Sequence, residues 1–158
     1  MKKILKIVFV ILVIGFVVIQ FINRPDKTVL SETTPEDITK HTQVPENVHN
    51  ILKRSCYDCH SSHTNWPWYS HIAPVSWLVA DDVVKGRKKM NFSEWGKISA
   101  AKKEARLNEM CELIKSDEMP LPKYLIIHKD AVLTPQDKDA LCQWVEAEMK
   151  KLEETNNE

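Results

Sequence analysis

The chain has 158 residues, with 22 basic and 22 acidic side chains and therefore no net charge. Beyond residue 24 the balance is 18 basic against 22 acidic side chains, and such a surface has no electrostatic attraction for nucleic acid. Sustained alternation of apolar and polar residues is almost absent, whereas helical spacing recurs along the chain. The sequence therefore predicts an all-α protein.

Residues 1–24 predict a membrane anchor. Residues 4 to 22 form a segment of 19 residues with only two polar side chains. At about 1.5 Å per residue, a helix of this length covers roughly 28 Å, close to the thickness of a bilayer core. Three lysines precede the apolar run, so we expect a single-pass protein of the inner membrane with its C-terminal domain on the periplasmic side. A cleaved signal peptide is the alternative, but no A-x-A-like cleavage site follows the run.

The remainder divides into three parts. Residues 25–43 are polar and lack a sustained period, which predicts a flexible tether. Residues 44–152 are enough for one small domain with a thin core, and residues 153–158 form a polar tail. Within the domain, a long helix is expected over residues 100–116, and a final helix begins at Thr134-Pro135. The buried stripe of the long helix is Leu107, Met110, Cys111 and Ile114.

The five residues Cys56-Tyr57-Asp58-Cys59-His60 form the pattern C-x-x-C-H, which is typical of covalent haem attachment. On a helical turn, thiols at positions i and i+3 share one face, where each can bond a haem vinyl group. The imidazole at position i+4 then lies where it can reach the iron. We therefore predict one covalently attached haem c, held by Cys56 and Cys59, with His60 as the first axial ligand.

Two other chemistries use closely spaced cysteines. A zinc site needs four ligands, and Cys111 and Cys142 stand singly, so zinc would require an irregular set that includes histidines. A thioredoxin-like dithiol expects a preceding strand, which this sequence does not predict. Cys111 and Cys142 lie on the apolar stripes of two different helices. The sequence leaves open whether they form a disulfide or are two separate small buried side chains.

Met119 is the predicted second axial ligand. It lies 59 residues after His60, where two prolines end the long helix and impose an extended segment. Its thioether is a soft donor that favours ferrous iron. Alternatively, Met119 only fills space in a loop and the ligand is His71 or, less favourably, Met90.

Two further groups follow the motif. Four aromatic residues are expected either to cover the haem or to fill the core of a small domain: Trp66, Trp68, Tyr69 and Trp77. Three basic residues could pair with haem propionates or form a solvated face: Arg87, Lys88 and Lys89.

The domain resembles the bacterial haem-binding domain family of cytochrome-c-like proteins. The strings that carry the resemblance are C-Y-D-C-H, N-W-P-W-Y, P-V-S-W-L, N-F-S-E-W and E-M-P-L-P, and it extends over residues 44–145. The resemblance implies covalent haem on Cys56 and Cys59 and proximal ligation by His60. Met119 corresponds to the methionine of E-M-P-L-P. The other two cysteines are not part of the family pattern.

These observations predict a small cytochrome-c-like helical haem domain after a single N-terminal transmembrane helix. The expected function is one-electron transfer with redox protein partners at the outer face of the membrane. A haem-based sensor or gas-binding protein with a labile sixth ligand is the first alternative, and a zinc-stabilised interaction module is the second. No set of acid, base and nucleophile is recognisable, so we do not expect an independent enzyme.

Overall fold

The computed structural model describes residues 1–30 and 33–156, and the elements in these two ranges are all helical. The α-helices are α1 (Lys2–Ile19), α2 (Ile38–His41), α3 (Glu46–Ser55), α4 (Tyr57–His60), α5 (Val75–Lys89), α6 (Ala100–Lys115) and α7 (Pro135–Asn156). Short 3₁₀ helices lie at Trp68–His71, Phe92–Lys97 and Lys129–Ala131. The all-α prediction is confirmed.

The prediction of a transmembrane anchor is wrong. α1 has 18 residues, begins with three lysines among its first five positions and ends at Ile19, three residues before the predicted end. Its lysine-free part covers about 20 Å at about 1.5 Å per residue, which is short of a hydrocarbon core of about 30 Å. Within residues 1–30 and 33–156, no helix combines the length and apolarity needed to cross a membrane. The prediction of a single-pass protein in the inner membrane rested on this span and is therefore also wrong.

The segment expected to be a flexible tether packs against the domain where the structure describes it. Just before this segment, the Gln20 side chain donates to the carbonyl of Ala73 at 3.1 Å and accepts from its N–H at 2.9 Å. Farther along, Asp37 caps α2 by accepting from Thr39 N at 3.0 Å. Ile38 is fully buried and belongs to the hydrophobic core. This segment therefore contributes to the fold.

The core lies mainly between α3, α6 and α7. The predicted stripe of α6 is buried: Leu107, Met110, Cys111 and Ile114. The facing residues of α7 are also buried: Leu141, Trp144 and Val145. A disulfide joins Cys111 to Cys142 and so links α6 to α7, which settles the alternative that the sequence left open. A cross-link that closes a loop of this length is worth about 3–4 kcal/mol in the chain-entropy description.

Candidate haem site

All four of the predicted site residues line one cavity of about 310 Å³. Cys56, Cys59 and His60 come from the junction of α3 and α4, whereas Met119 comes from the chain that follows α6. The fold thus brings together residues that are 59 positions apart. The rest of the lining is mainly apolar and includes Met90, Met110, Leu113, Ile114, Pro120, Leu121 and Leu133.

Local backbone hydrogen bonds shape the turn that carries Cys56, Cys59 and His60, called the attachment turn below because the sequence predicts haem attachment there. α3 ends at Ser55, and Cys56 leaves helical geometry with φ −129° before α4 begins. The carbonyl of Cys56 then accepts hydrogen bonds from Cys59 N at 3.2 Å and from His60 N at 2.9 Å. These bonds hold the two cysteines and the histidine on one turn, which is the arrangement that the spacing predicts.

His60 is prepared to act as a metal ligand. Its Nδ1 lies 3.0 Å from the carbonyl oxygen of Met90, and because a carbonyl can only accept, Nδ1 carries the hydrogen. The lone pair is then left on Nε2. Burial lowers the pKa of His60, so the neutral form is favoured despite this hydrogen bond. A neutral imidazole whose second nitrogen is held by a carbonyl is the usual state of a histidine that binds a metal.

The two thiols of the motif are free and are not bonded to each other. Burial, reinforced by the neighbouring Cys59, raises the pKa of Cys56 to about 12. Burial, reinforced by Asp58, raises the pKa of Cys59 to about 11. Both groups are therefore thiols at neutral pH, whereas a redox dithiol needs one cysteine with a lowered pKa. The electrostatics oppose the thioredoxin-like alternative.

Gly86 lets α5 approach the attachment turn. A Cβ atom at this position would lie 2.6 Å from the carbonyl oxygen of Cys59 and 3.2 Å from its Cβ. Real side chains do not tolerate the first distance, and its partner is backbone, which cannot swing away. Glycine is therefore required here for the close packing of α5 on α4.

Met119 is directed towards the cavity by the way in which α6 ends. α6 stops at Lys115, and Asp117 adopts a left-handed conformation with φ 60°. The backbone N–H groups of Glu118 and Met119 both donate to the carbonyl of Leu113, at 3.0 and 3.1 Å. This return of the chain onto the last turn of the helix is a common form of helix C-terminal capping.

The structure also locates the rival ligands. Of the histidines in residues 1–30 and 33–156, His60 lines the cavity, whereas His71 lies outside it with Nδ1 3.2 Å from Lys27 Nζ. Met90 and Met110 line the cavity together with Met119. Met90 already holds the His60 ring through its carbonyl, and Met110 is a buried core residue of α6. Met119, in contrast, lies outside the helices, on the chain that follows α6.

The aromatic cluster does not cover the cavity. The side chains of Trp66, Trp68, Tyr69 and Trp77 are absent from its lining, and Trp68 is 72% exposed. The aromatic residue that does line the cavity is Tyr124, which sequence reasoning missed because no local pattern marks it.

The basic residues were also only partly anticipated. Lys89 lines the cavity, as do Lys85 and Arg106, which the sequence did not single out. Arg87 instead donates to Ser61 O at 2.8 Å and to Thr64 Oγ1 at 2.9 Å. It therefore holds the chain that follows the motif in place.

The zinc alternative lacks a ligand set. Throughout the described ranges, no three or more histidine, cysteine, aspartate or glutamate side chains converge in a way that could hold a metal ion. A mainly apolar cavity with one imidazole, two thiols and three methionine side chains suits a large flat cofactor that supplies its own metal.

A family model described as a haem-binding domain matches residues 14–147 of the chain. No curated protein and no solved structure matches the chain. The matched range includes α1 from residue 14 and extends into α7, so it contains the whole cavity. The donor set and the apolar lining fit the same cofactor on independent physical grounds. The chain therefore belongs to the haem-binding domain family.

Proposed function

We propose that the protein carries one haem c, attached through thioether bonds at Cys56 and Cys59, with His60 and Met119 as axial ligands. The observation that carries this proposal is the shared cavity, since Met119 reaches it from a segment 59 residues beyond His60. Haem bound in this way supplies reversible one-electron chemistry. The proposed role is therefore electron transfer to and from redox protein partners, and not catalysis by the chain itself.

The surrounding residues support this role. The Met90 carbonyl fixes the orientation of the His60 ring, and such a hydrogen bond also raises the basicity of a ligating histidine. A thioether at Met119 favours the ferrous state and so raises the reduction potential. The lining is mainly apolar, and a hydrophobic shell limits the access of water to a metal site. These features suit a site that changes charge without changing its ligands.

Covalent attachment is tested by haem staining after denaturing electrophoresis. The protein would be produced in a host with cytochrome c maturation machinery, and the haem stain should migrate with the polypeptide. The double variant Cys56→Ala/Cys59→Ala should lose the stain, whereas Cys111→Ala/Cys142→Ala should keep it, because that pair forms a disulfide away from the cavity lining. A wild-type chain that loses its haem on denaturation would show noncovalent binding.

A gas-binding sensor is the second candidate. The observation that favours it is that Met119 lies on a segment between helices and not on a helix, so its thioether can leave the site without unfolding α6. Spectra of the ferrous protein with and without carbon monoxide distinguish the two functions. An electron carrier should resist carbon monoxide, and a sensor should bind it readily.

A further inference from the structure

Residues 119–128, termed the ligand segment below, carry Met119 and continue to the 3₁₀ helix at Lys129–Ala131. The segment is tied to the attachment turn by a side-chain hydrogen bond. Tyr124 Oη donates to Asp58 Oδ2 at 2.8 Å, and Asp58 stands between the two cysteines of the motif. A hydrogen bond to a carboxylate is stronger than one between neutral groups, and this one is partly buried.

A second contact supports the Tyr124 ring. The ring stacks on His128, with the centroids 4.0 Å apart and the planes at 6°. His128 Nε2 lies 2.6 Å from Tyr69 Oη, within hydrogen-bonding distance. Tyr69 is the last residue of N-W-P-W-Y, the motif that does not line the cavity. The motif therefore reaches the site indirectly, through His128 and Tyr124.

A third contact lies at the surface. Lys123 Nζ pairs with the Asp82 carboxylate of α5 at 2.8 Å, but the Lys123 side chain is 44% exposed. Solvent screens such a pair, so we expect it to contribute less than the Tyr124 hydrogen bond. Tyr124 itself remains a donor at any ordinary pH, because burial, together with the Asp58 hydrogen bond, raises its pKa.

We propose that Asp58, Tyr124, His128 and Tyr69 form a clasp that holds Met119 in its ligating position and sets how readily the sixth coordination position opens. Prolines 120 and 122 restrict the backbone between Met119 and Tyr124, so a fixed Tyr124 limits the positions that Met119 can take. The clasp residues are positioning residues, and their role rests on the proposed function with Met119 as a ligand.

The main test uses the haem-loaded full chain and the variant Tyr124→Phe, which removes the hydroxyl and keeps the ring. Carbon monoxide mixed with the ferrous protein should bind at least about tenfold faster in the variant, the change expected when a hydrogen bond to a charged group is lost. Tyr57→Phe is the matched control. Tyr57 lies in the same motif, and its buried Oη has no hydrogen-bond partner among the residues that the structure describes. Its removal should leave the rate within about twofold, a change of under 0.5 kcal/mol by the same conversion.

Two further variants separate the clasp from general loosening. Asp58→Asn keeps an acceptor for Tyr124 but removes its charge, so it should also speed carbon monoxide binding, by less than Tyr124→Phe. Adding it to Tyr124→Phe should give little more than Tyr124→Phe alone, because both changes act on the same hydrogen bond. Tyr69→Phe acts through His128, so its effect should be smaller than that of Tyr124→Phe. Additive effects of Asp58→Asn and Tyr124→Phe would overturn the proposal.

Hydrogen exchange gives a readout that does not depend on the iron. The amides of Leu125, Ile127 and His128 donate within the ligand segment, to Leu121 and Tyr124. In Tyr124→Phe without haem these amides should exchange faster, whereas those of α7 should not change. Unchanged exchange in the ligand segment, or a rate of carbon monoxide binding within about twofold of the wild type, would show that the clasp does not hold the ligand segment. A wild type that lacks the sulfur-to-iron band would instead refute ligation by Met119, the proposed function itself.

Discussion

The two sides of the cavity are built in different ways. The attachment turn is held by hydrogen bonds between residues three and four positions apart, from Cys59 and His60 to Cys56. Met119 reaches the cavity because α6 ends where it does and because distant side chains hold the segment that follows. The attachment side should therefore tolerate loss of remote contacts, and the Met119 side should be sensitive to them.

Replacement of Met119 should have the largest effect. In Met119→Ala the weak long-wavelength sulfur-to-iron band of the ferric protein should disappear completely, the ferrous protein should bind carbon monoxide, and the potential should fall because a donor that favours ferrous iron is lost. Absorption spectra and a redox titration measure these changes. Met90→Leu and Met110→Leu are the controls, since both residues also line the cavity. If the band survives in Met119→Ala and vanishes in a control, the ligand has been misassigned.

Loss of the disulfide should disturb the Met119 side of the cavity and leave the attachment side intact. Cys111→Ala/Cys142→Ala should lower the free energy of unfolding by about 3–4 kcal/mol in urea titrations. Because the disulfide holds α6 against α7, and Met119 follows α6, carbon monoxide binding should become faster while covalent haem remains in full. A loss of attached haem with no change in carbon monoxide binding would contradict the view that the attachment side is held locally and the Met119 side by remote contacts.

Gly86→Ala tests the point at which the attachment side does depend on tertiary packing. The added methyl group would meet the Cys59 carbonyl at 2.6 Å, so α5 must move. We expect a loss of about 1–3 kcal/mol in thermal or urea unfolding and a lower yield of attached haem. Gly15→Ala is the matched control in α1, where the added atom would meet nothing within 4 Å. Equal effects of the two changes would rule out the packing explanation.

Asp137→Asn should have the smallest effect, about 1 kcal/mol, through the N-terminal cap of α7. Asp137 accepts from Thr134 N at 2.8 Å and pairs with Arg54 of α3 at 2.7 Å. Burial alone would raise the pKa of Asp137, but hydrogen bonds from Thr134 and Arg54 together lower it.

The sign of the pH dependence follows from this lowered pKa. The stabilisation is present above the ordinary carboxyl pKa of 3.8 and is lost as the pH falls through the lower pKa of the folded state. Unfolding titrations from pH 7 to pH 3 should therefore show the wild type and Asp137→Asn converging in acid. Asp139→Asn, at an exposed position two residues on, is the matched control and should change the free energy of unfolding at pH 7 by less than about 0.5 kcal/mol. Haem attachment should be unchanged in Asp137→Asn if the attachment turn is locally determined.

Prediction from the sequence failed where length or distant partners decided the outcome. The apolar run at the N-terminus gave no sign that the helix would end at Ile19 and leave Phe21 and Ile22 outside it. Ile38 lies in a polar stretch, so its place in the core could not be read from periodicity. Tyr124 carries no local signal at all, because its importance comes from Asp58 and His128.

The amino-acid sequence by itself determined the helical class, the buried stripe of α6 and the attachment turn, because these depend on side-chain spacing within a few residues. Only the tertiary structure decided that Met119 and His60 share a cavity, that Cys111 pairs with Cys142 and that Gly86 must lack a side chain. Each of these depends on where two remote parts of the chain meet. Such meetings are fixed by the packing of whole helices, which no short pattern contains.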